Sequence, residues 1–349
     1  MRIGLDAYWL IDGPPSGRNV VRGLIAGWSV AFPDDEILVR VPRRHEAAAR
    51  EWLERQGIRA RIVRSRWPNH ALSVLLGGWS GKRPDAVVTE NFTALSGPRP
   101  AVYVHDAIFM EHPEWFTRAE RLYLSLIGAT LGRARVVLAS SRSEAARIGR
   151  SWPRVASRLA VVGYGVPLGL DAAEPSRPSA VAEGARPFIL SVGRLNSRKN
   201  LGALLRAFVG DSSLSADADL LIVGEPNGRV DPALAGADAS AVRFLGYVSD
   251  DELAWLYSNA RLFVFPSLDE GYGLPLIEAA RFSATSVASR IPPFEELGLS
   301  AESFDPRDPA DIARALRAAL DREPAPAALP AEVSWPAVAR SVRSAALRG

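Results

Sequence analysis

Cysteine is absent from this chain of 349 residues, lysine occurs twice and histidine four times. Without cysteine there is no disulfide framework, no thiolate metal site and no cysteine nucleophile. The four histidines (His45, His70, His105 and His112) show no HExxH-type spacing, so a zinc site built from the chain is not expected. No apolar run nears the ~20 residues of a membrane-spanning helix. Met1-Arg2 leads straight into the strand-like Ile3-Gly4-Leu5-Asp6, with no pattern of a secretory leader. The expectation is a cytoplasmic protein, or one lying at the inner membrane face.

What is present describes a folded globular chain: 48% hydrophobic and 23% charged residues. Its length suits two domains, each with a core of its own. The net charge of +3 is unevenly spread, with residues 1–170 at +9 and residues 171–349 at −6. The densest basic run holds Arg40, Arg43, Arg44, Arg50, Arg55, Arg59, Arg61, Arg64 and Arg66. Trp67, the apolar Leu72, Val74, Leu75 and Leu76, and Trp79 follow it. Two readings stand: a face for anionic lipid or an anionic acceptor, or a solvated arginine-rich helix and strand. No nucleic-acid-binding module accompanies the charge, so a nucleic-acid partner is not expected.

Short apolar segments alternate with helical patterns through both halves, as in parallel βαβ units. Strands are predicted at 2–6, 36–41, 60–64, 85–89, 101–105, 135–139 and 158–162, with helices at 17–31, 45–56, 117–132 and 142–149. Pro175, Pro178 and Gly184 break the pattern within 168–186, which reads as a linker. A second series follows, with strands near 187–192, 219–224, 241–245, 262–266 and 285–288. Its helices lie near 199–209, 249–259, 275–283 and 309–321, and a last helix covers 335–347. Ser249 or Asp250 is placed to cap the helix that starts at Asp251. The expected fold is α/β: two Rossmann-like, doubly wound domains facing a central cleft, with ligands beyond the carboxyl ends of the strands.

Two segments carry chemistry. In the first, Glu270-Gly271-Tyr272-Gly273-Leu274-Pro275-Leu276-Ile277-Glu278 follows the strand-like Leu262–Pro266. Pro275 suits the start of a helix, where a missing N–H costs nothing. Backbone N–H groups at a helix start favour an anion such as a diphosphate, and carboxylates accept from sugar hydroxyls. Glu270 is also open to a plainer role as a helix-capping acid. In the second segment, Gly193-Arg194 and Arg198-Lys199-Asn200 open the first helix of the second half. There Gly193 allows close backbone approach, and the two cations Arg194 and Lys199 suit phosphate oxygens.

These residues, with Gly246-Tyr247-Val248 and the two glutamates separated by seven residues, resemble the retaining GT-B glycosyltransferases of family 4. Asp6-Ala7 with Gly13-Pro14-Pro15-Ser16-Gly17 is similar to the family's first glycine loop, and Val104-His105-Asp106 to its central His-Asp segment. Ser334-Trp335 is similar to the start of its closing helix. The resemblance implies an acceptor-side domain at 1–170, a donor-binding domain at 171–333 and a helix at 334–349 that returns to the first domain.

The roles it implies follow by position. Arg194 and Lys199 bind the donor diphosphate without a metal or other cofactor. Glu278 takes the ribose hydroxyls and Glu270 lies near the donor sugar. The backbone of Gly271, Tyr272, Gly273 and Leu274 meets sugar or phosphate oxygens, and Tyr247 and Val248 meet the base. Gly13 and Gly17 close over the phosphates, and His105 stands at the reacting centre. The partners implied are a GDP, UDP or dTDP sugar and an acceptor glycan, glycolipid or small hydroxylated molecule, with GDP-mannose weakly favoured and peripheral membrane contact allowed for.

Tyr164-Gly165 and Ser140-Ser141 depart from the family's usual Asn-Gly and Ser-Glu pairs. Three rival readings keep the two-lobed shape: a UDP-sugar 2-epimerase, a phosphorylase, which commonly needs a pyridoxal lysine whereas Lys82 and Lys199 both lack a cofactor-anchoring context, and a non-catalytic sugar-binding protein.

Overall fold

A computed structural model of the chain describes residues 1–79, 83–225 and 241–348. Lys82 lies outside the described residues. The chain divides into two compact units. Met1–Pro113, Arg118–Leu168 and Ala331–Gly349 form the first, and Glu114–Thr117 with Gly169–Pro330 form the second.

In chain order the first stretch runs β1 (Arg2–Asp6), α1 (Pro15–Ala31), β2 (Glu36–Pro42), α2 (Glu46–Arg55), β3 (Ala60–Ser65), α3 (His70–Leu76), β4 (Ala86–Glu90) and β5 (Ala101–Tyr103). It continues with α4 (Ile108–Glu111), α5 (Arg118–Thr130), β6 (Val136–Ala139), α6 (Arg142–Ser151), β7 (Leu159–Val161) and α7 (Leu168–Asp171). The seven strands form one parallel sheet in the order β3-β2-β1-β4-β5-β6-β7. Parallel strands are covered by helices on both faces and so read as unbroken apolar runs; Val-Val-Leu-Ala of β6 is buried throughout.

The second stretch runs β8 (Phe188–Val192), α8 (Leu201–Val209), α9 (Ser212–Asp217), β9 (Asp219–Val223), β10 (Val242–Gly246), α10 (Asp250–Asn259) and β11 (Leu262–Phe265). After these come α11 (Leu274–Arg281), β12 (Ser286–Ser289), α12 (Pro292–Leu297), β13 (Glu302–Phe304), α13 (Pro309–Leu320) and α14 (Trp335–Arg348). The sheet order is β10-β9-β8-β11-β12-β13, again all parallel. In both sheets the first strand has the second on one side and the fourth on the other, so crossovers diverge there and open a crevice at the carboxyl ends. Ser249, rather than Asp250, caps α10, and its hydroxyl and the Glu252 carboxylate satisfy each other's backbone N–H groups.

The closing helix α14 belongs to the first unit, where it packs on α1. Gly23 and Gly27 stand four apart on one face of α1. A Cβ on Gly23 would lie 1.9 Å from the Trp335 ring, and one on Gly27 2.3 Å from the Trp335 backbone. The indole Nε1 of Trp335 donates to the Val166 carbonyl at 2.6 Å. Two helix glycines therefore make the slot into which α14 docks.

The basic run is not one continuous face. Arg40 is only 1% exposed, because its strand position faces Asp6 in the β1–β2 register. Arg64 and Arg50 pair with Glu46, and Arg55 with Glu51. The apolar run after Trp67 folds as α3, with Ala71, Ser73 and Val74 buried and Leu76 exposed. Among the described residues no helix is long and apolar enough to cross a membrane.

Candidate functional site

In the second unit, β8 and β11 are neighbours and the loops leaving their carboxyl ends are tied together. Asn200 adopts a left-handed conformation (φ 55°), and its buried amide donates to the carbonyls of Pro266 at 3.1 Å and Pro306 at 2.6 Å. Leu268 N donates to Arg198 O, and Arg198 Nη1 donates to Asp269 O, each at 2.9 Å. These bonds fix where Arg198 and Lys199 point.

They meet Glu270. Its Oε1 accepts from Lys199 Nζ at 2.6 Å and from the Ser267 hydroxyl at 2.8 Å, while its Oε2 lies 2.5 Å from Arg198 Nη1. Burial pushes the Glu270 carboxyl up, but the Arg198 and Lys199 charges outweigh it and hold it at about 2. Burial likewise draws the Lys199 ammonium down, and the Glu270 carboxylate opposes that drift. Lys199 Nζ also sits 4.5 Å over the Phe265 ring. Arg194 is close enough for its charge to act on Lys199. At the β8 end, Gly193 N donates to Val223 O at 2.9 Å, and a Cβ on this glycine would press on Lys199 Cε at 3.2 Å.

The α11 start has Gly273 (φ 120°) at its cap position, and the Glu270 oxygens before it are engaged by Lys199, Arg198 and Ser267. Gly271 and Gly273 are buried and Tyr272 and Leu274 partly so. Glu278, on α11, accepts from the Tyr257 hydroxyl of α10 through Oε2 at 2.9 Å. Burial raises its carboxyl to about 7, against the Tyr257 hydrogen bond and the Lys199 charge, with Asp250 adding to the rise. Tyr247 is 79% exposed on the loop after β10, and Val248 beside it is partly buried.

The structure thus brings Lys199, Glu270 and Glu278 into one electrostatic neighbourhood, with Arg194 at its edge. Arg198, Ser267 and Tyr257 belong to it too and were not assigned from sequence. Adjacency to Lys199 was a usable signal for Arg198; nothing local marked the other two.

The first unit gathers polar groups at the ends of β1, β4 and β5. Asp6 accepts from His70 Nε2 at 2.9 Å and Arg40 Nη2 at 3.4 Å. Burial raises its carboxyl, but Arg40 and His70 together bring it below the usual range. His105 lies partly buried, Nδ1 3.1 Å from the Tyr164 hydroxyl and Nε2 3.5 Å from Glu90 Oε1, a distance for ionic attraction without hydrogen-bond geometry. Burial raises the Glu90 carboxyl, and the His105 charge opposes the rise. Tyr164, where relatives of the resembled family carry asparagine, is therefore a partner of His105.

Gly13 and Gly17 pack on the Trp9 ring, to which their Cβ atoms would come within 2.5 and 2.3 Å. Ser141 caps α6 by accepting from Glu144 N at 3.0 Å. Among the described residues no three histidine, aspartate or glutamate side chains are grouped as metal ligands would be.

Residues 173–332 match the family model described as glycosyl transferases group 1. Over 147 residues the chain is 37% identical to the serotype-specific mannosyltransferase WbdA of Escherichia coli, a stretch that covers 39% of this chain and 18% of WbdA. It is 34% identical over 127 residues to O-antigen chain mannosyltransferase B of Escherichia coli, covering 35% of this chain and 33% of that protein. The chain therefore spans a third or less of these relatives' length. A sucrose-phosphate synthase from Thermosynechococcus elongatus superposes with a TM-score of 0.64 and 17% identity, over 99% of this chain and 94% of that one, a likeness of fold. The chain has the GT-B fold, and its second unit is related to the group 1 glycosyl transferases.

Proposed function

We propose that the chain is a retaining hexosyltransferase that takes its sugar from a nucleoside diphosphate sugar and passes it to an acceptor hydroxyl in glycan, polysaccharide or glycolipid synthesis. The observation that carries this reading is the meeting of Lys199, Arg198 and Glu270 at one strand edge, with Glu278 in the same field. Mannose is the favoured hexose, on the strength of the relatives' printed activities.

Lys199 has three N–H donors and directs one at Glu270, leaving two for phosphate oxygens. With Arg194 it neutralises charge that builds on the departing diphosphate, and fixed charges do this without reorganising during the reaction. Glu278 offers Oε1 to the ribose hydroxyls while Tyr257 occupies Oε2. Glu270 stays anionic at neutral pH and accepts from donor-sugar hydroxyls. Both of its oxygens already accept from cations or a hydroxyl, which makes it a poor nucleophile. That favours front-face attack, in which the acceptor approaches from the leaving-group side and the departing phosphate takes its proton. Tyr247, exposed on the loop after β10, is the residue proposed to meet the nucleobase. The first unit takes the acceptor.

Thermal-shift screening against GDP, UDP and dTDP sugars identifies the donor. Lys199→Ala and Glu278→Ala are expected to lower turnover of that donor by ~100-fold or more, the scale seen on deleting one preorganised charge, with circular dichroism unchanged. Undiminished turnover in both folded variants defeats the reading.

A further inference from the structure

We propose that the carboxyl edge of β2 and β3 is a seat for a phosphate group, so that the acceptor is a phosphorylated molecule. This rests on the reading of the first unit as the acceptor side. Pro42 of β2 and Ser65 of β3 are register partners, so the next residues, Arg43 and Arg66, leave the sheet side by side. Neighbouring strands run about 4.8 Å apart, which brings the two backbones within the span of one phosphate's oxygens and their guanidinium forks. Both arginines are exposed, and neither has an ion-pair partner among the described residues.

Arg44, which follows Arg43 in the chain, is held in place. Its Nε donates to His45 Nε2 at 3.0 Å, its Nη1 donates to Pro68 O at 3.4 Å, and its guanidinium lies 5.8 Å from the Tyr8 ring. Tyr8 is itself tied to the same carbonyl, donating at 2.6 Å. The carboxylate of nearby Glu46 is already taken by Arg64 at 2.6 Å and Arg50 at 3.4 Å, so it does not neutralise the three. A braced guanidinium next in the chain to an unpaired one, with a second unpaired one leaving the neighbouring strand, at the edge where doubly wound sheets bind ligands, fits a phosphate mono- or diester: planar forks bind its oxygens in pairs. A neutral glycan would leave this charge unanswered.

The phosphate can sit on a soluble sugar or on a lipid headgroup, and two arms separate these. In the first, glucose 6-phosphate and glucose are titrated calorimetrically into the full chain with its nucleotide site saturated by GDP. In the second, vesicles of phosphatidylcholine with and without phosphatidylglycerol are tested by flotation. The parent is expected to bind the phosphorylated probe of at least one arm and neither neutral probe. Arg43→Glu with Arg66→Glu, and separately Arg44→Gln, are expected to weaken that binding by roughly tenfold or more, with GDP affinity held within twofold as the control for folding. Raising salt weakens binding in the parent and has less effect in the variants.

Binding of the phosphorylated probe alone assigns a soluble source, and binding of anionic vesicles alone assigns a lipid one. The proposal is overturned if neither probe binds, if neutral probes bind equally, or if the variants bind as the parent does. Failure of GDP, UDP and dTDP alike to bind sinks the donor reading instead, and the phosphate titration then still reports on the arginines.

Discussion

Tyr257→Phe removes one oxygen atom and keeps a ring that lies edge-on to Phe263 at 5.3 Å and parallel to Phe282 at 6.2 Å. What is lost is the donor to Glu278 Oε2. That hydrogen bond favours the charged carboxylate, so without it the Glu278 carboxyl rises from about 7. A hydrogen bond to a charged group is worth about 1.5–3 kcal/mol, which corresponds to a rise of about one to two pH units.

The sign then follows. A carboxylate accepts from the ribose hydroxyls, and a protonated carboxyl does so less well, so nucleotide affinity climbs as pH rises through the Glu278 value. At pH 7 the parent's carboxyl is half ionised. A variant raised by one unit is about one-tenth ionised there, so it binds about fivefold more weakly. Near pH 9.5 the two converge. Calorimetric titration of GDP between about pH 6 and 9.5 reads this directly, and the variant-to-parent ratio cancels titration of the nucleotide itself. An equal affinity at every pH, or a loss that does not shrink in alkali, refutes the argument that Tyr257 works through the charge on Glu278.

Glu278→Gln separates stability from binding. The folded carboxyl titrates at about 7 against an ordinary 4.5, so the parent's folded state holds the proton more tightly and loses stability as pH rises through about 7. The variant is therefore expected to melt with the parent at pH 4 and to exceed it by about 1–3 kcal/mol at pH 8, while GDP affinity falls; coincident denaturation curves at pH 8 would contradict this. Gly27→Ala and Gly149→Ala are expected to have opposite signs. The first drives a Cβ to 2.3 Å from the Trp335 backbone, and overpacking of this kind costs about 1–3 kcal/mol. The second meets Leu159 Cδ1 at 3.4 Å and Ala156 Cβ at 3.9 Å, ordinary contacts, and gains up to about 1 kcal/mol of helix propensity. Urea unfolding measures both, and equal midpoints for the two variants dismiss the glycine-slot account of α14 docking.

The central strands were legible because they are short, apolar and covered on both faces; Leu-Phe-Val-Phe of β11 is buried at every position. The edge strand β13 escaped notice because only Phe304 of its three residues is buried, so no apolar run marks it. Lys199, Glu270 and Glu278 were readable from a glycine loop and a basic turn at strand ends. Their fixtures were not. Tyr257 reaches Glu278 across 21 residues and Asn200 reaches Pro306 across 106, and such partners are chosen by how helices and strands lie together. Arg40 failed for the same reason: a basic residue in a basic run reads as solvated until the β1–β2 register sets it against Asp6.

The two sheets share a strand order, yet their central crevices differ in chemistry, and the difference accords with the division of work proposed above. In the first unit the carboxylate at the switch point, Asp6, is answered by Arg40 and His70 of its own unit, with its side chain fully buried. A carboxylate so satisfied has little to offer a ligand. Under the proposals above, polar recognition in that unit comes from side chains around the crevice, with His105 on one side and the arginines beyond β2 and β3 on the other. In the second unit Lys199 keeps donors to spare and Glu278 keeps an oxygen to spare. Unspent hydrogen-bonding capacity at a buried switch point costs stability unless a ligand uses it, and under the proposed function a molecule that joins phosphate to ribose is what uses it.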